Sequence, residues 1–188
     1  MSLQNIYEVM TKIENQSGKL AKEQILKDNE GNTEFREALV FLLNPYIVTG
    51  ISTKKMNKAV KKQDIIFVPK NLTAVMSYLQ LNNNGKDLNI LAIQSYIETL
   101  ESDELKTFVK KFVTKDLKLG ISEKTVNKVY GKGTIPSFAV MLAESFAKKE
   151  AKVKGKFFIT LKLDGNRCVA IKENGKTKFF SRKGQEIE

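Results

Sequence analysis

The chain has 188 residues, of which 41% are hydrophobic and 28% charged, enough for one full domain and part of a second and unlike a disordered composition. Its formal net charge is +11 and its isoelectric point is about 9.6, so we expect a polyanionic partner, most often nucleic acid. The absence of histidine excludes His-ligated metals and Ser-His nucleophiles, and the single cysteine, Cys168, favours a reducing, cytoplasmic setting. No apolar run reaches the length of a membrane span and the first residues lack the pattern of a signal peptide, so no membrane partner is expected.

The positive charge is concentrated in blocks. Residues 52–71 carry a net charge of +5, residues 101–132 of +3 and residues 148–188 of +7, whereas residues 1–47 carry −2. A binding face for a polyanion requires such blocks, although a solvated, lysine-rich surface would also produce them.

A helical pattern extends from residue 3 to about residue 148. Apolar residues recur at helical spacing, and Ser17, Asn32 and Ser102 are predicted helix N-caps. Ser17 is expected to begin the second helix, and the later predicted helices cover residues 34–43, 71–81, 88–100, 102–119 and 138–146. Gly120 is expected to end one helix and Ser122 to begin the next, and Pro136 marks the start of the last.

The pattern changes to strands after Lys148. Residues 157–161, 168–171 and 178–180 are short apolar runs rich in strand-forming residues, and Asn174-Gly175 predicts a two-residue hairpin turn. The expected fold class is therefore mainly α: an all-helical domain over residues 1–148, followed by a short antiparallel β segment over residues 149–188. This segment has no evident finish, and we expect it to begin a larger, incomplete domain.

A motif that can carry chemistry follows the first predicted strand, at residues 162–167. The amine of a lysine becomes nucleophilic when partial burial among other cations lowers its pKa, and it can then attack the α-phosphorus of a nucleotide. Gly165 allows the backbone to approach a ligand, Asp164 can hold a ribose hydroxyl, and Arg167 can brace a phosphate. The simpler interpretation is an Asp-Gly turn between two strands, because a pattern this short is only modestly specific.

A second element follows the third predicted strand: Ser181, Arg182, Lys183 and Gly184. Lys-x-Asp-Gly-x-Arg, a hairpin and Phe-Ser-Arg-x-Gly together resemble the opening of the covalent nucleotidyltransferases, which include ATP-dependent DNA ligases, RNA ligases and mRNA capping enzymes. The resemblance implies that Lys162 is the nucleophile that becomes adenylated. It also implies that the nucleotide contacts are Thr160, Leu161, Lys162, Asp164, Gly165, Arg167 and Arg182, and that Ser181 and Arg182 meet the 5′-phosphate side of a nick.

The segment at residues 114–129 distinguishes among these families, because it resembles the last part of the DNA-binding domain of the larger ATP-dependent DNA ligases. A glycine turn that leads into a helix N-terminus can bind a phosphate through backbone N–H groups and the helix dipole. The predicted DNA contacts here are Lys115, Lys118, Gly120, Ser122, Lys124 and Lys128. A second basic block contains Lys54, Lys55, Lys58, Lys61 and Lys62. Such contacts follow the DNA backbone and carry no base-sequence information.

The resemblance implies an ATP-dependent DNA ligase that seals nicks in duplex DNA through a lysine–AMP intermediate. ATP and Mg²⁺ are the implied cofactors, with the Mg²⁺ ligands outside these 188 residues, and a nicked duplex is the implied partner. We expect a monomer in a phage-infected or bacterial cell interior, and we expect that these residues alone cannot seal a nick. Two alternatives are a non-enzymatic, helical DNA-binding protein and an RNA ligase or capping-type nucleotidyltransferase.

Overall fold

The structure is a computed structural model that describes residues 2–60, 67–138, 140, 144–161, 164–182 and 184–187. The chain divides into two compact units, Met1–Pro136 and Ser137–Glu188. The lysine-rich stretch that begins at Lys148 lies within the second unit. In the described residues no helix combines the length and the apolar character needed to cross a membrane.

The first unit is helical, and the mainly α fold class is confirmed. Its described residues form α1 (Leu3–Asn15), α2 (Lys19–Asp28), α3 (Thr33–Leu43), α4 (Thr53–Met56), α5 (Leu72–Leu81), α6 (Asp87–Glu98), α7 (Asp103–Val113) and α8 (Glu123–Tyr130).

Side-chain caps and an apolar core explain where these helices begin and how they pack. Asn32 and Ser102 accept hydrogen bonds from the backbone N–H groups of Phe35 and Leu105, as predicted, which satisfies donors that a helix start leaves open. The predicted cap at Ser17 is wrong, because the N-cap of α2 is Gly18, which has no side chain to accept a hydrogen bond. The core extends across the unit, and the rings of Phe41 and Phe112 stack in it with centroids 5.2 Å apart. Burial of this apolar surface is the main contribution to stability of the helical unit.

The helical unit contains two copies of one arrangement, offset by 70 residues: the first copy is α1–α4 and the second is α5–α8. Thr33 and Asp103 begin α3 and α7, and Leu43 and Val113 end them. Each helix is followed by an extended segment, a glycine with positive φ and a further helix, α4 or α8. The sequences at these turns match without a gap, because residues 50–58 and 120–128 are identical at Gly, Ile, Ser, Lys, Asn and Lys.

The two copies pack reciprocally. Helix α1 contacts α7 as α5 contacts α3, and α2 contacts α8 as α6 contacts α4. The helices before and after each turn therefore pack against helices of the other copy. Neither copy is expected to bury its own apolar face without the other.

Helix α7 ends earlier than its sequence pattern predicts, at Val113 instead of about Leu119. Lys115 has a φ of +55°, and the N–H of Asp116 donates to the carbonyl of Lys111, which closes the helix end. Leu117 and Leu119 are buried while the residue between them is exposed. That alternation is typical of extended backbone, so apolar residues that suggested a longer helix belong to the segment after it.

The second unit contains a short helix α9 (Phe146–Lys149), a 3₁₀ turn (Glu150–Lys152) and a sheet of β1 (Cys168–Glu173), β2 (Lys176–Ser181) and β3 (Glu186–Ile187) in that order. Both strand pairs are antiparallel. Asn174 and Gly175 have φ values of +50° and +76°, the two positive values of a type I′ turn, so the predicted hairpin is confirmed.

Two predicted elements of the second unit differ from its described residues. Residues 139 and 141–143 of the helix predicted over 138–146 lie outside the described residues, and residues 138, 140, 144 and 145 are not helical, with α9 beginning at Phe146. Residues 157–161 form no strand, because none of the described residues pairs with their backbone. Phe158 and Ile159 are 99% and 89% exposed. A run of strand-forming residues becomes a strand only where a neighbour supplies the ladder hydrogen bonds.

Candidate nucleic-acid interface and nucleotidyl motif

The turn before α8 presents a helix N-terminus to solvent. Gly120 has a φ of +64°, and Gly120 and Ser122 are both exposed. The carbonyl of Ser122 accepts from the N–H groups of Thr125 and Val126, but its hydroxyl makes no capping hydrogen bond. The first N–H groups of α8 thus have no side-chain cap, at the positive end of the helix dipole where an anion is favoured.

A buried lysine of α2 donates a hydrogen bond to the backbone of this turn. The ammonium of Lys22 donates to the carbonyl of Leu119 at 2.6 Å, and Lys22 is only 7% exposed. A Cβ on Gly120 would lie 2.6 Å from the Lys22 Nζ. Glycine is therefore needed here both for its positive φ and for the closeness of this ammonium.

Lys128, in the last turn of α8, binds a carboxylate of the same protein. Its ammonium donates to Oε2 of Glu23, a residue that is 5% exposed. This hydrogen bond, before any other cause, lowers the pKa of Glu23, and the charges of Lys128 and Lys19 act in the same direction against the effect of burial. Glu23 is thereby held as a carboxylate, while 61% of the Lys128 side chain remains exposed.

Lys115, unlike Lys128, is half-buried. Its Nζ donates to the carbonyl of Asn44 at 2.7 Å and lies 5.6 Å from the centre of the Phe41 ring. Burial lowers the pKa of Lys115 to about 8. Of the four predicted DNA-contacting lysines around the turn, Lys118, Lys124 and Lys128 are exposed with Gly120 and Ser122, although Lys128 is paired with Glu23. Lys115 is half-buried and bound to a carbonyl within the chain.

The turn of the first copy has the same backbone but a different neighbour. Gly50 has a φ of +67°, and a Cβ on it would lie 2.0 Å from the carbonyl oxygen of Asn83. The ammonium of Lys55 donates to the carbonyl of Gly85 at 3.3 Å. The Ser52 hydroxyl accepts from the N–H of Lys55, unlike its equivalent in the second copy.

The second basic block lies at this first turn. Lys54, Lys55 and Lys58 are exposed, whereas Lys61 and Lys62 lie outside the described residues. Gly50 and Ser52 are absent from the sequence-derived set of DNA contacts. The signal that points to them is the match between residues 50–58 and 120–128, which appears when the sequence is compared with itself.

The predicted nucleophile, Lys162, lies outside the described residues, as does Leu163. Its predicted neighbours in the nucleotide site are all exposed: Thr160, Leu161, Asp164, Gly165 and Arg167. Leu161 is 85% exposed, which is unusual for an apolar residue of this size. Their assignment as nucleotide contacts stays a prediction.

Ser181 and Arg182 are placed at the end of β2. The Ser181 hydroxyl accepts from the N–H of Gln185 at 3.1 Å, and its carbonyl accepts from the N–H of Gly184 at 2.9 Å. These bonds form a tight loop, with Gly184 at a φ of +83°, that leaves Arg182 exposed. The predicted role of this loop at a nick phosphate stays a prediction as well.

The described residues contain no group of three or more His, Cys, Asp or Glu side chains that could hold a metal ion. Mg²⁺ prefers carboxylate and phosphate oxygens together with water. The location of the Mg²⁺ ligands stays a prediction.

Comparison with known proteins gives a match only among solved structures. No protein-family model and no curated protein matches the chain. A structure named Pmar-Lig_PreS3 matches with a TM-score of 0.70 and 27% sequence identity, over 96% of this chain and 43% of its own. A second, named Pmar-Lig_Pre, matches with a TM-score of 0.67 and 28% identity, over 96% and 42%. The chain thus spans less than half of either structure, and its fold is ligase-related.

Proposed function

We propose that this chain is the DNA-binding and nucleophile-bearing part of an ATP-dependent DNA ligase. The observation that carries the proposal is the likeness to two ligase-named structures over 96% of the chain. The nucleotidyl motif at residues 162–167 supports the reaction class, and the basic turns of the helical unit support the substrate.

The helical unit is suited to a duplex of any sequence. Its two turns repeat one backbone conformation, and each is followed by exposed lysines, Lys54 in the first copy and Lys124 in the second. Contacts from lysines and helix N-termini to phosphates give affinity and position without base recognition. An enzyme that acts on nicks at any position requires this kind of binding.

The proposed reaction has three steps. The amine of Lys162 attacks the α-phosphorus of ATP, a P–N bond forms and pyrophosphate leaves. AMP then passes from the lysine to the 5′-phosphate of the nick. The 3′-hydroxyl attacks that phosphate, the strand is sealed and AMP leaves. Arg167 and Arg182 would bind phosphate oxygens in these steps, and Asp164 would orient the ribose or the lysine.

Duplex binding is tested by the anisotropy of a labelled nicked duplex across a series of salt concentrations. We expect micromolar or tighter binding that weakens steeply with salt, because each neutralised phosphate contributes a slope of about 0.9 in log K against log salt. Lys124→Gln should reduce the slope by about one such contact. Lys12→Gln, which removes the same charge from an exposed position of α1, should leave it unchanged. No binding even at low salt would contradict the proposal for the helical unit.

The lysine–AMP intermediate is tested by the intact mass of the protein after incubation with ATP and Mg²⁺. An AMP adduct is expected in the wild type and absent in Lys162→Ala. Lys156→Ala removes a nearby lysine and should retain the adduct. An adduct that persists in Lys162→Ala would contradict the assignment of the nucleophile. A duplex-binding protein that forms no adduct would favour the non-enzymatic alternative, and a preference for RNA ends would favour an RNA ligase.

A further inference from the structure

Helix α2 carries two charged residues that are almost fully covered. Lys22 is 7% exposed and Glu23 is 5% exposed. The Oε1 atom of Glu23 has no hydrogen bond within the described residues, and the ammonium of Lys19 is 4.0 Å from it. Buried ions are poor stabilisers, because apolar residues of similar volume usually serve as well. What these two side chains contact is therefore more informative than their burial.

Both side chains contact the turn-helix element that contains the exposed N-terminus of α8. The ammonium of Lys22 binds the carbonyl of Leu119, directly before Gly120. The carboxylate of Glu23 binds the ammonium of Lys128, in the last turn of α8. The two contacts hold both ends of the element, so they set the direction in which the α8 N-terminus points.

The turn before α4, in the first copy, has contacts of the same kind. The Gln94 side chain of α6 donates to the carbonyls of Met56 and Lys58, each at 2.9 Å, and so holds the end of α4. The loop before α6 lies against Gly50, as Lys22 lies against Gly120. Each turn is therefore contacted by polar groups of the other copy, from α2 in one case and from α6 and the loop before it in the other. The contacts of α2 are thus part of the repeated arrangement.

We propose that Lys22 and Glu23 are positioning residues, which direct the N-terminus of α8 toward a DNA phosphate, and that the charge of Lys128 serves the internal pair with Glu23 instead of the duplex. The proposal rests on the proposed function of duplex binding. It removes Lys128 from the predicted DNA contacts and adds two residues of α2 that act through α8.

The sign of the effect of Glu23→Gln distinguishes the two roles of Lys128. If Lys128 bound a phosphate, loss of the competing carboxylate would tighten duplex binding and steepen the salt dependence. If Glu23 positions α8, the variant binds several-fold more weakly with an unchanged slope, because the number of phosphate contacts stays the same. Tighter binding by Glu23→Gln would overturn the proposal.

A matched pair of variants on α8 gives a second test. Lys124→Met should lower the salt slope by about 0.9, whereas Lys128→Met should weaken binding without changing the slope. Glu23→Gln combined with Lys128→Met should bind no more weakly than either single variant, because both remove one interaction. Lys128→Arg keeps the ion pair and should restore the affinity. A slope that falls in Lys128→Met as it does in Lys124→Met would overturn the proposal.

Hydrogen exchange tests the positioning in the whole chain without DNA. Lys22→Met and Glu23→Gln should each speed the exchange of the backbone N–H groups of residues 120–124, while those of α5 exchange as in the wild type. Unchanged exchange at residues 120–124 would overturn the positioning role. If the wild type bound no duplex, the proposed function would fail, and this exchange measurement would still decide whether α2 positions the turn.

Discussion

Gly50 and Gly120 occupy equivalent positions in the two copies, yet their surroundings differ. Both have positive φ values near +65°, which disfavours any residue with a Cβ. At Gly50 the added atom would collide with backbone of Asn83, whereas at Gly120 it would collide with the end of a flexible lysine. Glycine is thus needed at both positions, but the steric requirement is stricter at Gly50 than at Gly120.

We predict that Gly50→Ala costs more than about 3 kcal/mol in the free energy of unfolding and Gly120→Ala about 1–2 kcal/mol. Backbone cannot move away from a new methyl group as a lysine side chain can. Gly31→Ala, where an added Cβ meets nothing within 4 Å, serves as the control and should change stability by less than about 0.5 kcal/mol. Urea unfolding measures all three, and equal losses at Gly50 and Gly120 would contradict the role of the close backbone contact.

Lys115 predicts a dependence of stability on alkaline pH. Its pKa is lowered from 10.5 to about 8 by burial, so between these values the unfolded chain binds more protons than the folded chain. The free energy of unfolding contributed by Lys115 therefore rises as the pH increases from about 8 to 10.5 and is unaffected below that range. We expect a gain of about 1–2 kcal/mol, discounted because part of the side chain remains solvated.

The measurement is the difference in unfolding free energy between the wild type and Lys115→Met at the two ends of this pH range. Other groups titrate there too, but they titrate in both proteins and cancel in the difference. The difference should move in favour of the wild type as the pH rises. A difference that is the same at both ends would show that burial does not alter the protonation of Lys115.

At the scale of elements, the serines that precede α7 and α8 have the same position and different uses. The Ser102 hydroxyl accepts from the N–H of Leu105, whereas the Ser122 hydroxyl makes no capping bond. A cap stabilises its helix, and an unused cap leaves both the hydroxyl and the backbone N–H groups available to a ligand. Helix α7 therefore has a capped start and α8 an open start.

We predict that Ser102→Ala costs about 1 kcal/mol of stability and leaves the affinity for the duplex unchanged. Ser122→Ala should change stability by less than about 0.5 kcal/mol and weaken duplex binding, because it removes a hydroxyl from the proposed phosphate site. Thermal unfolding and anisotropy titration on the two variants separate these effects. Loss of stability in Ser122→Ala comparable to that in Ser102→Ala would show that the hydroxyl caps α8 after all.

At the scale of the molecule, the duplication gives one helical unit two similar basic turns. Lys54 and Lys124 are equivalent residues of the repeat, and both are exposed. If both turns bind one duplex, their contributions to the salt dependence should add. A protein that used only one copy would show no such additivity.

We predict that Lys54→Gln and Lys124→Gln each lower the salt slope by about 0.9 and that the double variant lowers it by about twice as much. Binding should remain one protein to one site in every variant, as equilibrium titration at fixed salt would show. A normal slope in Lys54→Gln would restrict the proposed interface to the second copy.

Several features of this protein are determined by its sequence alone. Asn32 and Ser102 mark helix starts because their side chains can satisfy N–H groups that no helix satisfies internally, and Asn174-Gly175 marks a hairpin because few other pairs adopt two positive φ values. These features depend on residues that are close in the chain. The self-similarity of residues 50–58 and 120–128 is also contained in the sequence, although only a comparison of the chain with itself exposes it.

Tertiary structure alone decided which lysines face outward and which runs become strands. Lys115 is half-buried against the carbonyl of Asn44, 71 residues away, and the exposed Lys128 is paired with Glu23, 105 residues away, so no local pattern could separate these two from Lys118 and Lys124. Residues 157–161 have the composition of a strand but no partner among the described residues. Caps and turns are local interactions, whereas the direction of a charge and the pairing of a strand depend on what the fold brings beside them.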